Sequence, residues 1–306
     1  MNRDLPRSGC ETPGKTRAFR SQNEGFSGFG DMTAVPGVGP EWFEANRAWW
    51  DERAPLHVGG DFYEVDAFLS GTSALRDFEL SELGDVAGRT LCHPQCHFGL
   101  DTLSWAGEGA IVSGLDFSPE AIDAASALAE RAGIDARFVC ADVYDASQAF
   151  GSEQFDIVYT GLGAINWLPD IDRWAATMAS LCVPGGALYL VEFHPTSNSL
   201  EDESLVAEAR IAYGMGHIWH DEILSGSYGA EGAATLHNET WERVWTLGEV
   251  LSAIAGAGFR IEFLHEFDYT LYRQFPWLIE NGRHFERPPE VPSFPMMYSL
   301  LAHLDR

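Results

Sequence analysis

The chain has 306 residues and a mass of 33.7 kDa, enough to bury roughly three quarters of its unfolded surface. Hydrophobic residues make up 45% and charged residues 21%, a globular balance that excludes disorder as a whole. With 46 acidic against 19 basic side chains and a formal charge of −27, the surface repels phosphate backbones, so no nucleic-acid partner is expected.

Residues 1–40 are rich in Gly, Pro, Ser and Arg, and are expected to form a flexible tail because they bury too little apolar area to offset ordering. No apolar segment follows the N-terminal arginines, so no secretory signal is expected. No apolar run approaches the ~20 residues that span a bilayer, so no membrane is expected as a partner. Five cysteines, an odd count, read as reduced thiols. The expected location is the cytoplasm.

From Glu41, Trp42, Phe43, Trp49 and Trp50 fall near helical spacing, which predicts an amphipathic helix ending before Pro55. Phe62, Tyr63 and Phe68 form a second aromatic cluster. Residues 41–85 are therefore read as helices that either cover a pocket or pack on the core. Residues 86–306 are read as the main domain. There, strands are predicted at Thr90–His93, Ala110–Leu115, Arg137–Ala141, Phe155–Thr160 and Ala187–Phe193, the last after a Pro184-Gly185-Gly186 turn. Helices are predicted at Leu100–Ala106, from Pro119 to Ala132 with Ser118 as cap and Gly133 as stop, and at Ile171–Leu181. Such alternation predicts an α/β fold with a mostly parallel sheet and helices on both faces. An insertion is read at about 195–240. Thr246 and Glu249 then form a capping box that opens a helix. A strand at Phe259–Phe267 and another within Phe294–Leu304 complete the pattern.

In an open parallel sheet, ligands bind beyond the carboxyl ends of the strands. Those positions hold His93-Pro94-Gln95-Cys96-His97-Phe98-Gly99, Asp116, Asp142, Thr160-Gly161 and His194. Asp116 lies 17 residues past Gly99, the spacing of a ribose-binding acid, and Asp142 can accept from an adenine amino group. A dinucleotide needs G-x-G-x-x-G for its diphosphate, yet Gly99 stands alone here, with Gln95 and His97 where glycines are required. S-adenosylmethionine (SAM) carries adenosine without phosphate and has no such requirement. Cys92, His93, Cys96 and His97 lack the spacing and second cluster of a zinc site, so no metal is expected.

The run Pro94-Gln95-Cys96-His97-Phe98-Gly99-Leu100-Asp101-Thr102-Leu103-Ser104 resembles class I SAM-dependent methyltransferases. The most similar branch is a group of bacterial small-molecule enzymes with a Gln-Cys-His-Phe-Gly loop. Asp116-Phe117, Asp142-Val143, Tyr159-Thr160-Gly161 and Pro184-Gly185-Gly186 continue the match. The resemblance implies a Rossmann-like, seven-stranded sheet with its last strand antiparallel, under an N-terminal helical lid carrying Trp50 and Arg53. It implies SAM as cofactor and a cofactor site of Trp50, Arg53, Tyr63, His93, Gln95, Cys96, His97, Gly99, Asp116, Phe117, Asp142, Val143, Thr160 and Gly161. The partner expected is a small-molecule methyl acceptor reacting through oxygen or nitrogen, and a homodimer is allowed for. His194, at the end of the fifth strand, is the first choice of general base and His57, beside the lid, the second. His217, His220 and His237 in the insertion are read as structural. Trp167, Trp219, Trp241 and Tyr63 are candidates for a flat acceptor's pocket. Two alternatives are an NAD(P)-dependent oxidoreductase and a non-catalytic SAM-binding protein.

Overall fold

The structure, a computed structural model, describes residues 38–200, 218–221, 226–230 and 232–305. The tail predicted over residues 1–40 and His217 fall outside them, apart from Val38, Gly39 and Pro40. No helix among the described residues is long and apolar enough to cross a membrane.

Five strands run parallel: β1 (Thr90–Pro94), β2 (Ile111–Asp116), β3 (Arg137–Cys140), β4 (Phe155–Thr160) and β5 (Cys182–Phe193). β6 (Phe259–Phe267) and β7 (Met297–Leu304) complete a seven-stranded sheet in the order β3-β2-β1-β4-β5-β7-β6, with β7 antiparallel to both neighbours. The order reverses between β1 and β4, which places the switch-point crevice beyond their carboxyl ends. Alternation along the central strands feeds two cores. Val158, Leu188, Leu190 and Leu300 face one side, and Ile157, Tyr189, Val191 and Leu301 the other. Burial on both faces is why β4 reads as a continuous apolar run.

Helices α1 (Pro40–Gly59), α2 (Val65–Leu69) and α3 (Asp77–Leu83) precede the sheet; α4 (Leu100–Gly107), α5 (Pro119–Ala132), α6 (Ala146–Ala149), α7 (Ile171–Leu181) and α8 (Leu247–Gly256) accompany it. The predicted caps are present. Ser118 Oγ accepts from Ala121 N–H at 3.1 Å, Gly133 closes α5 at φ 67°, and Thr246 and Glu249 form the capping box of α8.

Two predictions are corrected, and one small sheet was not foreseen. Helix α1 does not end before Pro55 but continues to Gly59. Proline removes one backbone bond at a cost of ~3 kcal/mol, yet Pro55 is exposed while Ala54 and His57 are wholly buried, so packing carries the helix on. Pro184-Gly185-Gly186 is not a turn before β5 but a bulge within it: pairing jumps from Phe155 with Cys182 to Ile157 with Ala187. Finally, the segment between β6 and β7 contains an antiparallel sheet of Tyr269–Thr270, Ile279–Asn281 and His284–Glu286 that the pattern did not reveal. Strands of two or three residues are too short to carry periodicity. Within the predicted insertion, Ile218–Asp221 pairs antiparallel with Thr240–Arg243.

Candidate active site

A cavity of about 1750 Å³ opens at the carboxyl edge of the sheet, between the strand ends, α1 and the small sheet before β7. That exceeds the ~300–1,000 Å³ of a typical single-ligand pocket. Trp50, Tyr63, His93, Gln95, Cys96, His97, Asp116, Phe117, Asp142, Val143 and Gly161 all line it.

The loop after β1 sets the floor. Gln95 and His97 both adopt left-handed backbone angles, with φ 61° and 52°, positions usually left to glycine, Asn or Asp. Each is anchored: Gln95 Nε2 donates to Ala164 O at 2.9 Å, and His97 N–H donates to Asp116 Oδ2 at 2.9 Å. Asp116 Oδ1 accepts from Ser118 N–H at 3.0 Å. Burial pushes the Asp116 carboxyl up to about 6, against the pull of these backbone donors. Ser118 Oγ donates to Asp51 Oδ1 at 2.5 Å, which fixes α1 over the Asp116 corner. Asp142 caps the turn that follows it, accepting from Tyr144 N–H at 2.9 Å, and its carboxyl is raised by burial.

The structure places five of the expected residues elsewhere. Arg53 is wholly buried beneath α1, donating to the carbonyls of Trp49, Gly226 and His237 and to the side chains of Thr235 and Asn238. It staples the helix to residues 226–238 and does not line the cavity. Gly99 turns into α4 at φ 76°, and a Cβ there would lie 2.8 Å from Phe138, so its role is packing. Thr160 points away because the strand pleat alternates; Tyr159 and Gly161 face the cavity instead. His57 lies behind His97, fully buried. His194 is also off the cavity: its Nδ1 accepts from Thr196 N–H at 3.1 Å and its Nε2 sits 3.0 Å from Glu266 Oε1. The chain turns out of the edge at His194, whose backbone N–H donates to Met296 O. Of the proposed acceptor-pocket tryptophans, Trp167 lines the cavity, while Trp241 stacks on His220 at 3.8 Å behind the wall. The Trp219 side chain lies outside the described residues.

Among the lining residues that the sequence reading did not name, four charged ones gather on one wall. Arg76 precedes α3, Asp101 and Glu79 lie on α4 and α3, and Arg283 lies in the turn between the last two strands of the small sheet. Arg283 donates to the carbonyls of Ser73, Ala74 and Leu75. Glu79 Oε1 accepts from Tyr159 O–H at 2.8 Å, and burial together with Asp101 raises its carboxyl to about 7. Burial raises Asp101 as well, while Arg76 and Arg283 pull it down. Asp101 stands two positions past Gly99 in the recognised loop, so its signal was present; Arg76 and Arg283 have no motif and meet Asp101 only through the fold.

Two buried polar atoms at this wall have no partner among the described residues, Arg76 Nε and Gln95 Oε1. A buried orphan costs ~1–3 kcal/mol unless a ligand satisfies it. Together with the Asp101 carboxylate near Gly161, they offer a donor to a carboxylate and acceptors to an ammonium. That is the donor set for an α-amino acid end such as that of SAM, and the residues present fit the group.

Residues 95–186 match the family model of the methyltransferase domain. The chain is 29% identical over 153 residues to a ubiquinone biosynthesis O-methyltransferase of Methylobacterium sp. (strain 4-46), covering 49% of this chain and 60% of that protein. It is 31% identical over 104 residues to a protein of the same name from Coxiella burnetii (strain Dugway 5J108-111), covering 34% and 43%. It thus spans about half the length of these curated relatives. The fold is similar to a putative S-adenosylmethionine-dependent methyltransferase of Listeria monocytogenes, with a TM-score of 0.52 at 17% identity over 75% of this chain and 97% of the other. A methyltransferase of Clostridium acetobutylicum gives 0.51 at 11% identity, over 80% and 92%. The fold is thus the Rossmann-like fold of these solved structures, and residues 95–186 within it match the methyltransferase domain. No dinucleotide fingerprint accompanies it.

Proposed function

We propose that this chain is a SAM-dependent methyltransferase that moves a methyl group from the sulfonium of SAM to a small-molecule acceptor. The observation that carries the reading is the convergence, in one cavity, of the matched segment's strand-end residues. Asp116 is suited to the ribose diol, Asp142 and Val143 to adenine, and Asp101, Gln95 and Arg76 to the amino acid end. Bound there, SAM supplies an electrophilic methyl group. The chain aligns the nucleophile, excludes water and manages its proton, with proximity and orientation giving most of the acceleration. The O-methyltransferase relatives favour an oxygen nucleophile over nitrogen.

The remaining space suits a flat acceptor: Tyr63, Trp167, Phe193, Tyr228 and Tyr272 project aromatic area into it. Residues 41–85 act in this reading as the lid, and the strongly acidic surface disfavours a polyanionic acceptor. Isothermal calorimetry with SAM and with its demethylated product tests the assignment. Micromolar binding of both is expected, and failure of both to bind overturns it. Binding without turnover across a panel of phenols, amines and carboxylic acids would favour a non-catalytic SAM-binding protein.

A further inference from the structure

With His194 and His57 off the cavity, the acceptor's proton has no destination among the bases read from the sequence. Three imidazoles line the cavity, and two of them are engaged: His93 Nδ1 is bonded to Thr102 Oγ1 at 2.9 Å, and His220 is bonded to Glu239 and stacked on Trp241. The third, His97, sits on the cavity wall, ringed by Trp50 at 5.0 Å and Tyr63 at 5.9 Å between centroids. Behind it runs a chain of short contacts: His97 Nε2 to His57 Nδ1 at 2.8 Å, and His57 Nε2 to Ser227 Oγ at 2.6 Å. Ser227 Oγ also accepts from Gly229 N–H at 3.2 Å. The arrangement is tightly built, since a Cβ on Gly229 would fall 2.5 Å from the His57 ring. Among the described residues no hydrogen bond reaches His97 Nδ1.

Building on the function proposed above, we infer that His97 is the general base of methyl transfer, with His57 and Ser227 as positioning residues that leave its Nδ1 unprotonated. The hydrogens run outward: His97 Nε2–H donates to His57 Nδ1, and His57 Nε2–H donates to Ser227 Oγ. This base–orienter geometry is the general one for activating a nucleophile. In the step itself, the acceptor oxygen forms a bond to the methyl carbon. The carbon–sulfur bond breaks, its electron pair stays on sulfur, and the acceptor's proton moves to His97 Nδ1. The proton leaves to water when product departs. Burial holds both imidazoles neutral, with His57 down at about 4 and His97 well below its usual value, so the base form is present at neutral pH. Burial opposes a new charge, but the sulfonium loses its positive charge as the imidazolium gains one, and the net charge of the site is unchanged.

The test uses catechol as acceptor and compares wild type with His97→Gln and His57→Phe from pH 6.5 to 10. A lost general base typically costs ~10²–10⁴-fold. The expected result is a loss of at least about a hundredfold in kcat for His97→Gln near neutrality, shrinking as the phenol ionises unaided toward pH ~10. His57→Phe should show the same pH signature with a smaller loss. A ratio that stays constant with pH assigns both residues to packing and overturns the inference. Nitrogen-15 NMR of the cofactor-free protein reads the same point without an acceptor: Nδ1 of His97 should be unprotonated, and a proton found there also overturns it. Calorimetry keeps the two readings apart. Absent SAM binding removes the functional assignment, whereas intact binding with a pH-independent ratio removes only the role of His97.

Discussion

Gln95 donates across the mouth of the cavity to the carbonyl of Ala164 at 2.9 Å, tying the loop after β1 to the turn after β4. That turn is held from the other side by Glu192, whose carboxylate accepts the backbone N–H groups of Gly163, Ala164 and Ile165 at 2.8–3.0 Å. The two loops that flank the switch point are thereby set against each other before any ligand arrives, an arrangement that lowers the ordering cost of binding.

Asp116→Ala should weaken SAM binding by at least about tenfold, since a lost hydrogen bond to a charged group costs ~1.5–3 kcal/mol. Its pH dependence has a defined sign. Asp116 is raised to about 6, and a ribose diol donates to the ionised form. Wild-type affinity should therefore fall as pH drops through about 6, and calorimetry at pH 5, 6 and 7.5 checks this.

Asp101→Asn should weaken SAM far more than 5′-methylthioadenosine, which lacks the amino acid end. The readout is the ratio of the two dissociation constants, expected to change by roughly tenfold for a lost charge-assisted contact. Equal losses for both ligands would refute the assignment of Asp101 to the ammonium.

Arg53→Ala should act on stability. The substitution removes a wholly buried guanidinium that stacks on Trp49 at 3.8 Å and leaves the carbonyls of Gly226 and His237 unpaired. A loss of ~1–3 kcal/mol for each buried carbonyl left unpaired is expected, read by urea denaturation. Arg53→Lys should recover little of it, because an ammonium cannot reproduce the planar fork.

Gly99→Ala should destabilise by ~1–3 kcal/mol, since it combines a left-handed backbone at φ 76° with a Cβ 2.8 Å from Phe138. Thermal melting checks this, and SAM affinity per folded molecule should change less than in Asp116→Ala.

Much of the sheet was legible because local signals agreed with the global pattern. β4, α5 and α7 fall where their apolar runs put them, and the ends of α5 were legible because Ser118 and Gly133 act through backbone geometry within a few residues. The strand-end rule likewise drew attention to Asp116, Asp142 and the loop around Gln95. Hidden instead were relationships set by three-dimensional packing. Nothing near Arg53 in the sequence announces Thr235 or Asn238, and His194 looked exposed to the active edge because the turn at Thr196 is not visible in composition. His57 and His97 are 40 residues apart, so their contact depends on how α1 crosses the loop.

Helix α1 is fastened on both flanks, by Asp51 to Ser118 and by Arg53 to residues 226–238. Asp116 is only 7% exposed, whereas Phe62 and Tyr228, which also line the cavity, are 43% and 49% exposed. On the function proposed above, the nucleoside berth is the inner room and the acceptor berth the vestibule. That reading predicts a queue: nucleoside enters first and departs last, and steady-state velocities should show the intersecting pattern of an ordered bi-substrate scheme.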